Sequence, residues 1–307
     1  MKKFNLMYKN YLSDILLLGV AIIWGLSYSL TKGALNYTSV LMFLVIRFGI
    51  TFLLLMPFTI KSLIGTSKKI ILYGSFLGLI LSGVFIAEVY GIKYTTATNA
   101  AILISLSIVF TPFIDIFRTK NKPSKQLIIA ATTSIIGIYI LTYNKNFTIN
   151  IGDILILIAA ILRATMLTSI KLFTNRYSIN SLTLTQIQMG VIFFVSLFLL
   201  LQTNQSILIP IELEYWLQIM FIIMFCTIFA FFAQNYGVRH SSPVKASFLM
   251  GTEPLFGVLF AIMFIGETLT INVAFGGFLI FIATLLGVKE DNKSFQPTAN
   301  ASAEFKR

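Results

Sequence analysis

Charged residues are scarce in this chain of 307 residues, at 11% of the total, whereas soluble proteins carry about 25%. Hydrophobic residues make up 57% of the chain, and the mean hydropathy is +0.89. A soluble fold of this length could not bury so much apolar surface. The composition therefore predicts an integral membrane protein.

Cysteine and histidine are almost absent, with Cys226 and His240 the single residue of each type. This scarcity excludes an intramolecular disulfide framework and argues against metal binding or catalysis by Cys/His clusters. The chain also lacks a Walker sequence, so ATP is not expected to drive it directly, and it has no Gly-x-Ser-x-Gly nucleophile motif. We therefore predict a protein that is not an enzyme and that uses no cofactor.

Long apolar stretches occupy most of the chain, and each is near the ~20 residues needed to cross a bilayer. They are residues 15–31, 40–60, 70–92, 98–117, 126–143, 154–170, 181–201, 215–238, 246–265 and 269–288. The net charge of +12 would suggest nucleic acid in a soluble protein, but here the basic residues lie mainly between spans. The expected fold class is an all-α integral membrane protein of ten transmembrane helices, with lipid and no nucleic acid as partner.

Lysine and arginine placement predicts the orientation. With a cytoplasmic N-terminus, eighteen of the 23 lysines and arginines fall in cytoplasmic segments, three lie outside, and Arg47 and Arg163 lie within spans. This bias supports a multi-pass protein of the cell (inner or plasma) membrane with both termini in the cytoplasm.

The chain repeats itself. Asp14–Leu16 recurs as Asp153–Leu155 at a shift of 139 residues, and the Tyr90–Lys93 sequence recurs as Tyr236–Arg239 at a shift of 146. Five spans per half is an odd number, so the second half must be inverted. We predict two inverted five-helix repeats, at 1–146 and 147–290, and a disordered cytoplasmic tail at 291–307. Inverted repeats are typical of alternating-access transporters, although duplication alone could produce them in a channel or scaffold.

Several motifs resemble those of the drug/metabolite transporter superfamily, in its ten-helix EamA-type branch. They are Trp24-Gly25, Lys32, Arg47-Phe48, Tyr90–Ala101, Ser107–Pro112, Gln234–Leu249, Glu253–Ala261 and Gly266–Thr270. The resemblance implies a secondary transporter with a central cavity, usually an exporter of amino acids, metabolites or drugs. The chain departs from the family pattern at three places: Lys120-Asn121 replaces a Gly-Glu pair, Arg163 replaces a tryptophan, and Glu88 is an unexpected acid.

Glu253 and Pro254 interrupt the ninth span, where a charge is costly and a proline removes a helical hydrogen bond. The carboxylate could bind substrate or a proton as coupling ion. Alternatively, Glu253 only satisfies groups freed by the kink or pairs with an arginine. In the first half, the counterpart is Ser107-Ile108 with Pro112 one turn later, which predicts that the two halves bend this helix at different heights.

Arg163 lies at the middle of the sixth span and must face a cavity or a carboxylate. It is either a clamp for a substrate carboxylate or phosphate, or half of a buried ion pair with Glu88 or Glu253. Our hypothesis is that Arg163 and Glu88 pair and recognise an amino-acid-like zwitterion. Hydration of Glu88 at the outer interface is the alternative.

The remaining polar and aromatic candidates have simpler interpretations. The polar edges of Trp24, Tyr28 and Tyr90 need partners at depth, so these residues are predicted to line the cavity. Arg47 is interpreted as a structural tie between helices. Lys32 and Lys171 are expected to extend to the membrane interface, and Asp14 and Asp153 to lie at helix starts. The predicted substrate-binding residues are Trp24, Tyr28, Glu88, Tyr90, Arg163 and Glu253.

The predicted function is secondary transport of a small amino-acid-like or drug-like metabolite, with export by alternating access favoured. Uptake of a scavenged metabolite or a nucleotide-like solute is the alternative within transport. A channel, a scaffold and an intramembrane enzyme are the alternatives from other classes.

Overall fold

The computed structural model describes residues 2–119, 124–142, 150–203, 207, 209–260 and 271–294. These residues are helical apart from short connections and include no β-strand. Three predicted features lie outside the described residues: Lys120-Asn121, the Gly266–Thr270 motif and residues 295–307 of the tail. The last helix continues to Ser294, four residues into the predicted tail.

Ten helical spans follow one another in the described part of the chain. They are α1 (Lys2–Ala34), α2 (Val40–Ile64), α3 (Lys68–Tyr94), α4 (Ala97–Ser105 and Ser107–Thr119), α5 (Lys125–Thr142), α6 (Ile151–Arg176), α7 (Ser181–Gln202), α8 (Leu213–Phe221, the π-helical Ile222–Phe229 and Ala230–His240), α9 (Pro243–Met250 and Glu253–Phe260) and α10 (Ile271–Ser294). Seven described stretches are long and apolar enough to cross a membrane, and α5 and α10 contain shorter apolar helices. The all-α fold of ten membrane helices is therefore confirmed.

Large apolar side chains remain exposed around the bundle, as lipid contact requires. Phe58 is 78% exposed, Phe117 84% and Ile64 81%. In water such a surface would be unfavourable, whereas in a bilayer it is solvated by acyl chains.

α4 and α9 are both interrupted, and they are interrupted at equivalent places. In α4 the first segment ends at Ser105 and the second begins at Ser107, while in α9 the two limits are Met250 and Glu253. A shift of 146 residues maps Leu106, between the α4 segments, onto Thr252. The prediction that the halves bend at different heights is therefore wrong. Pro112 lies within the second segment of α4 and does not set the break.

Two helix crossings repeat between the halves. A Cβ at Gly91 of α3 would lie 2.6 Å from Ile156 of α6, and one at Gly237 of α8 would lie 2.6 Å from Leu17 of α1. Glycine permits both close approaches because any side chain would collide with the facing helix. Gly91 and Gly237 are repeat-equivalent, and so are Ile156 and Leu17. The α3–α6 crossing and the α8–α1 crossing are therefore built from the same pair of positions in the repeat.

Lys32 and Lys171 cap opposite ends of the bundle. The Lys32 ammonium donates to the carbonyls of Ile92, Lys93 and Thr95 at the end of α3. Carbonyls left free at a helix C-terminus offer partners for an ammonium group, so Lys32 makes a structural contact that the sequence did not indicate.

Lys171, the repeat equivalent of Lys32 in the second half, caps the end of α8 in the same way. Lys171 donates to the carbonyls of Arg239 and Ser241. Because Lys32 and Lys171 lie at the ends of α1 and α6, each half uses the same contact at a different end of the bundle.

The two repeated aspartates differ in setting. Asp153 forms a capping box with Asn150 at the start of α6 and accepts a hydrogen bond from Thr95 at 2.6 Å, as its predicted place at a helix start requires. Asp14 lies well inside α1, so its predicted place at a helix start is wrong. It instead forms a 2.8 Å ion pair with Lys245 in the first turn of α9.

Candidate functional site

A cavity lies among α1, α2, α3, α6 and α8. Its walls combine aromatic and aliphatic side chains with charges of both signs. The lining residues are Trp24, Ser27, Tyr28, Arg47, Leu81, Val84, Phe85, Glu88, Arg163, Met166, Phe231 and Gln234. An apolar pocket with a few convergent polar groups is the usual form of a small-molecule site.

Trp24 and Arg163 are repeat-equivalent residues that touch each other. Arg163 equals Trp24 shifted by 139, and its guanidinium carbon lies 4.4 Å from the centroid of the Trp24 ring. This geometry is a cation–π contact. It places the contact between the halves, at the centre of the bundle.

Glu253 is the ion-pair partner of Arg163. Arg163 Nη2 and Glu253 Oε2 are 2.9 Å apart, and the Tyr28 hydroxyl donates to Glu253 Oε1 at 3.2 Å. Glu253 is fully buried and lies at the start of the second α9 segment, where the helix dipole favours a carboxylate. Arg163 therefore forms its ion pair with Glu253, the alternative partner, and not with Glu88. Recognition of a zwitterion by Arg163 and Glu88 stays a prediction.

A close glycine contact brings α9 to α1 at this level. A Cβ at Gly25 would lie 2.9 Å from the backbone nitrogen of Gly257 and 3.0 Å from the carbonyl oxygen of Glu253. The glycine of the Trp24-Gly25 motif thus lets the Glu253 backbone approach α1. The tryptophan of the same motif meets Arg163, so this dipeptide serves both contacts.

Glu88 lines the cavity beside the two arginines, Arg47 and Arg163. It is half-buried, and it makes no ion pair or hydrogen bond among the residues that the structure describes. Its alternative placement at a hydrated outer interface does not match this position. The Glu88 carboxylate is therefore available to a cation that enters the cavity.

Arg47 joins α2 to the π-helical part of α8. Its Nε donates to Thr227 Oγ1 at 2.9 Å, and its Nη2 lies 3.5 Å from the carbonyl oxygen of Cys226. Its guanidinium also lies 4.7 Å from the Phe85 ring centroid. The structural tie predicted for Arg47 is present, and the same side chain also lines the cavity.

The π-helical segment explains why the Cys226 carbonyl can accept these bonds. The Ala230 amide, which would bond that carbonyl in an α-helix, bonds the carbonyls of Phe225 and Thr227 instead. The Cys226 carbonyl then accepts from the Trp24 indole at 2.9 Å. π-helical turns often occur at functional sites.

The structure brings four of the six predicted site residues, Trp24, Tyr28, Glu88 and Arg163, to the cavity wall. Glu253 lies behind that wall and contacts two of them. Tyr90 is partly buried against the apolar core and does not line the cavity. Sequence reasoning missed Gln234 and Phe231, although Gln234 belongs to a recognised motif and is a polar residue inside an apolar span.

Comparisons with known proteins agree with the architecture. The EamA-like transporter family matches residues 11–143 and 150–288. Over 91% of this chain and 86% of the relative, the chain is 30% identical to a protein of Archaeoglobus fulgidus named "Uncharacterized transporter". It is 26% identical to a Clostridium kluyveri protein of the same name, over 89% of this chain and 90% of the relative.

A solved crystal structure shares the fold. It superposes with a TM-score of 0.74 over 92% of this chain and 99% of that chain, at 12% sequence identity. At that identity the likeness concerns the arrangement of helices alone.

Proposed function

The chain belongs to the EamA-like transporter family, and from this premise we propose that it is a secondary transporter of a small amino-acid-like zwitterion with an apolar side chain. Export by alternating access is the direction and mechanism that we propose. The observation that carries the substrate class is the arrangement of Glu88 and Arg163 in one aromatic cavity.

The charges in the cavity suit a zwitterion. The Glu88 carboxylate is available to an ammonium group, while Arg163 and Arg47 offer N–H donors to a carboxylate. Arginine suits this role because its planar fork can bind a carboxylate through two parallel hydrogen bonds. A substrate with both charges would enter without adding net charge to a low-dielectric site.

The apolar walls suit an uncharged side chain. Trp24, Phe85 and Phe231 form one connected aromatic cluster, with ring centroids 5.4 Å apart for Trp24 and Phe231 and 5.5 Å apart for Phe85 and Phe231. Burial of a substrate side chain here would supply binding free energy of about 25 cal/mol per Å² of apolar surface.

The inverted arrangement supports alternating access. Repeat-equivalent lysines hold the α3–α4 connection at one end of the bundle and the α8–α9 connection at the other. We propose that these two clamps loosen alternately, so that the cavity opens first to one side and then to the other. We place the protein in the cell membrane. From the distribution of basic residues, we assign both termini and the end of the bundle that contains Lys171 to the cytoplasmic side.

A thermal-shift experiment on the purified full-length protein tests the substrate class. The three probes are phenylalanine, phenethylamine and 3-phenylpropionate, which carry both charges, only the ammonium and only the carboxylate. Because a ligand that binds the folded state raises its stability, phenylalanine should raise the melting temperature most. Glu88→Gln should abolish that shift, while the exposed control Glu212→Gln should keep it.

Other results would redirect the proposal. An equal shift by phenethylamine would favour a cationic, drug-like substrate that binds Glu88 alone. An unchanged shift in Glu88→Gln would contradict the proposed site. Proton coupling by Glu253 is proposed separately, and it requires that an imposed pH gradient accelerate transport in liposomes.

A further inference from the structure

A second groove lies away from the central cavity, where α3 begins and where α4 and α6 end. We call it the α3–α6 groove. The groove is formed by Tyr73, Phe76 and Leu77 of α3, Arg118 of α4, Ser169, Leu172, Phe173 and Arg176 of α6, and Tyr177 directly after α6. The proposed transport cycle uses none of these residues.

Two arginines flank the groove. Arg118 and Arg176 both line it and are exposed. Arg118 Nη1 donates to Ser169 Oγ at 2.9 Å, which holds the guanidinium at the groove. Asp115, one turn earlier on α4, is the neighbouring acid that moderates the positive charge of Arg118.

Aromatic and aliphatic side chains form the rest of the groove. The rings of Tyr73 and Tyr177 have centroids 5.2 Å apart, and Phe173 packs 5.4 Å from Tyr177. Phe76 is 57% exposed and Leu172 52% exposed, so both present apolar surface at the groove. The groove therefore offers cationic hydrogen-bond donors beside exposed apolar side chains, which is the combination that an amphiphilic ligand with an anionic headgroup requires.

We propose that the α3–α6 groove binds one anionic phospholipid, with its phosphate on Arg118 and Arg176 and an acyl chain along Phe76 and Leu172. Arginine binds phosphate through paired N–H donors. Basic residues on the cytoplasmic side attract anionic headgroups, and this end of the helices is the one that we assign to the cytoplasm. Charge complementarity favours an anionic headgroup over a zwitterionic one.

Native mass spectrometry of the intact protein tests this assignment, with lipid retention measured in a detergent with an uncharged headgroup. The lipids are phosphatidylglycerol and phosphatidylcholine, and sn-glycerol 3-phosphate is the soluble phosphate probe. We expect the wild type to retain phosphatidylglycerol in preference to phosphatidylcholine. Each of Arg118→Gln and Arg176→Gln should weaken that retention about fivefold, the effect of one basic residue at an anionic surface.

Lys68→Gln/Lys69→Gln is the matched control, because it removes two exposed positive charges at the start of α3 without altering the groove. It should retain phosphatidylglycerol as the wild type does. Equal retention of phosphatidylcholine, an equal loss in the lysine control, or saturation of the site by glycerol 3-phosphate alone would overturn the proposal.

Discussion

Arg163 occupies in the second half the position that Trp24 occupies in the first. The arginine lies over the tryptophan ring and pairs with Glu253. A buried charge is strongly destabilising without its partner but can be replaced together with it. Comparing the loss of one partner with the loss of both therefore measures how much the ion pair contributes to stability.

We predict that Glu253→Gln lowers the free energy of unfolding by about 3–5 kcal/mol, because it leaves Arg163 buried without a counter-charge. Arg163→Gln/Glu253→Gln should recover most of that loss. Thermal unfolding of the purified single and double variants measures the coupling. Additive losses in the double variant would show that the 2.9 Å contact carries no coupling energy.

The sequence indicated Arg163, Glu253 and Glu88 because charges inside apolar spans are rare. It could not specify which of the two acids pairs with the arginine, since that depends on how α6 faces α9 and α3. Tyr90 shows the same limit. A polar aromatic residue in an apolar span needs a partner, but its helix face decides whether it reaches the cavity.

Some helix boundaries have a local signal in the sequence, such as an N-cap residue, and others have none. Ser39, Thr96 and Ser242 each accept a hydrogen bond from the backbone of the helix that they begin, which is the N-cap role that serine and threonine favour. The α4 break at Leu106 has no proline beside it, so no local signal in the sequence indicates it. The π-helical segment of α8 is a further element without a clear sequence signal.

We predict that Gly25→Ala destabilises the protein by about 1–3 kcal/mol, the usual cost of overpacking. The new methyl group would lie 2.9 Å from the backbone of Gly257. Gly19→Ala is the control on the same helix, because a methyl group there would meet Phe229 at an ordinary 3.5 Å. Equal melting temperatures for the two variants would contradict the tight α1–α9 crossing.

We predict that Lys32→Met and Lys171→Met loosen different ends of the bundle. The first should speed amide hydrogen exchange in the α3–α4 connection, and the second in the α8–α9 connection, because each lysine holds the carbonyls there. The expected change is about tenfold, from charge-assisted hydrogen bonds worth roughly 1.5–3 kcal/mol. Each variant is the control for the other, so matching changes at both ends would argue against separate clamps.

For the whole molecule, composition and repeats predicted the ten-helix fold, since apolar length, basic flanks and the shifts of 139 and 146 residues all follow from sequence. The cavity required the structure. Its walls come from α1, α2, α3, α6 and α8, and periodicity within a single helix carries no information on which faces meet. Two repeat-equivalent residues in contact, Trp24 and Arg163, are the clearest result of the inverted arrangement.

Counterflow in liposomes tests the central claim, which is carrier-mediated transport of an amino-acid-like zwitterion through this cavity. Vesicles containing the full-length protein are preloaded with unlabelled phenylalanine and diluted into a trace of labelled phenylalanine. We predict a transient accumulation of label above equilibrium, which disappears in Glu88→Gln and persists in Glu212→Gln. Non-saturating flux without accumulation, or an unchanged overshoot in Glu88→Gln, would contradict the account.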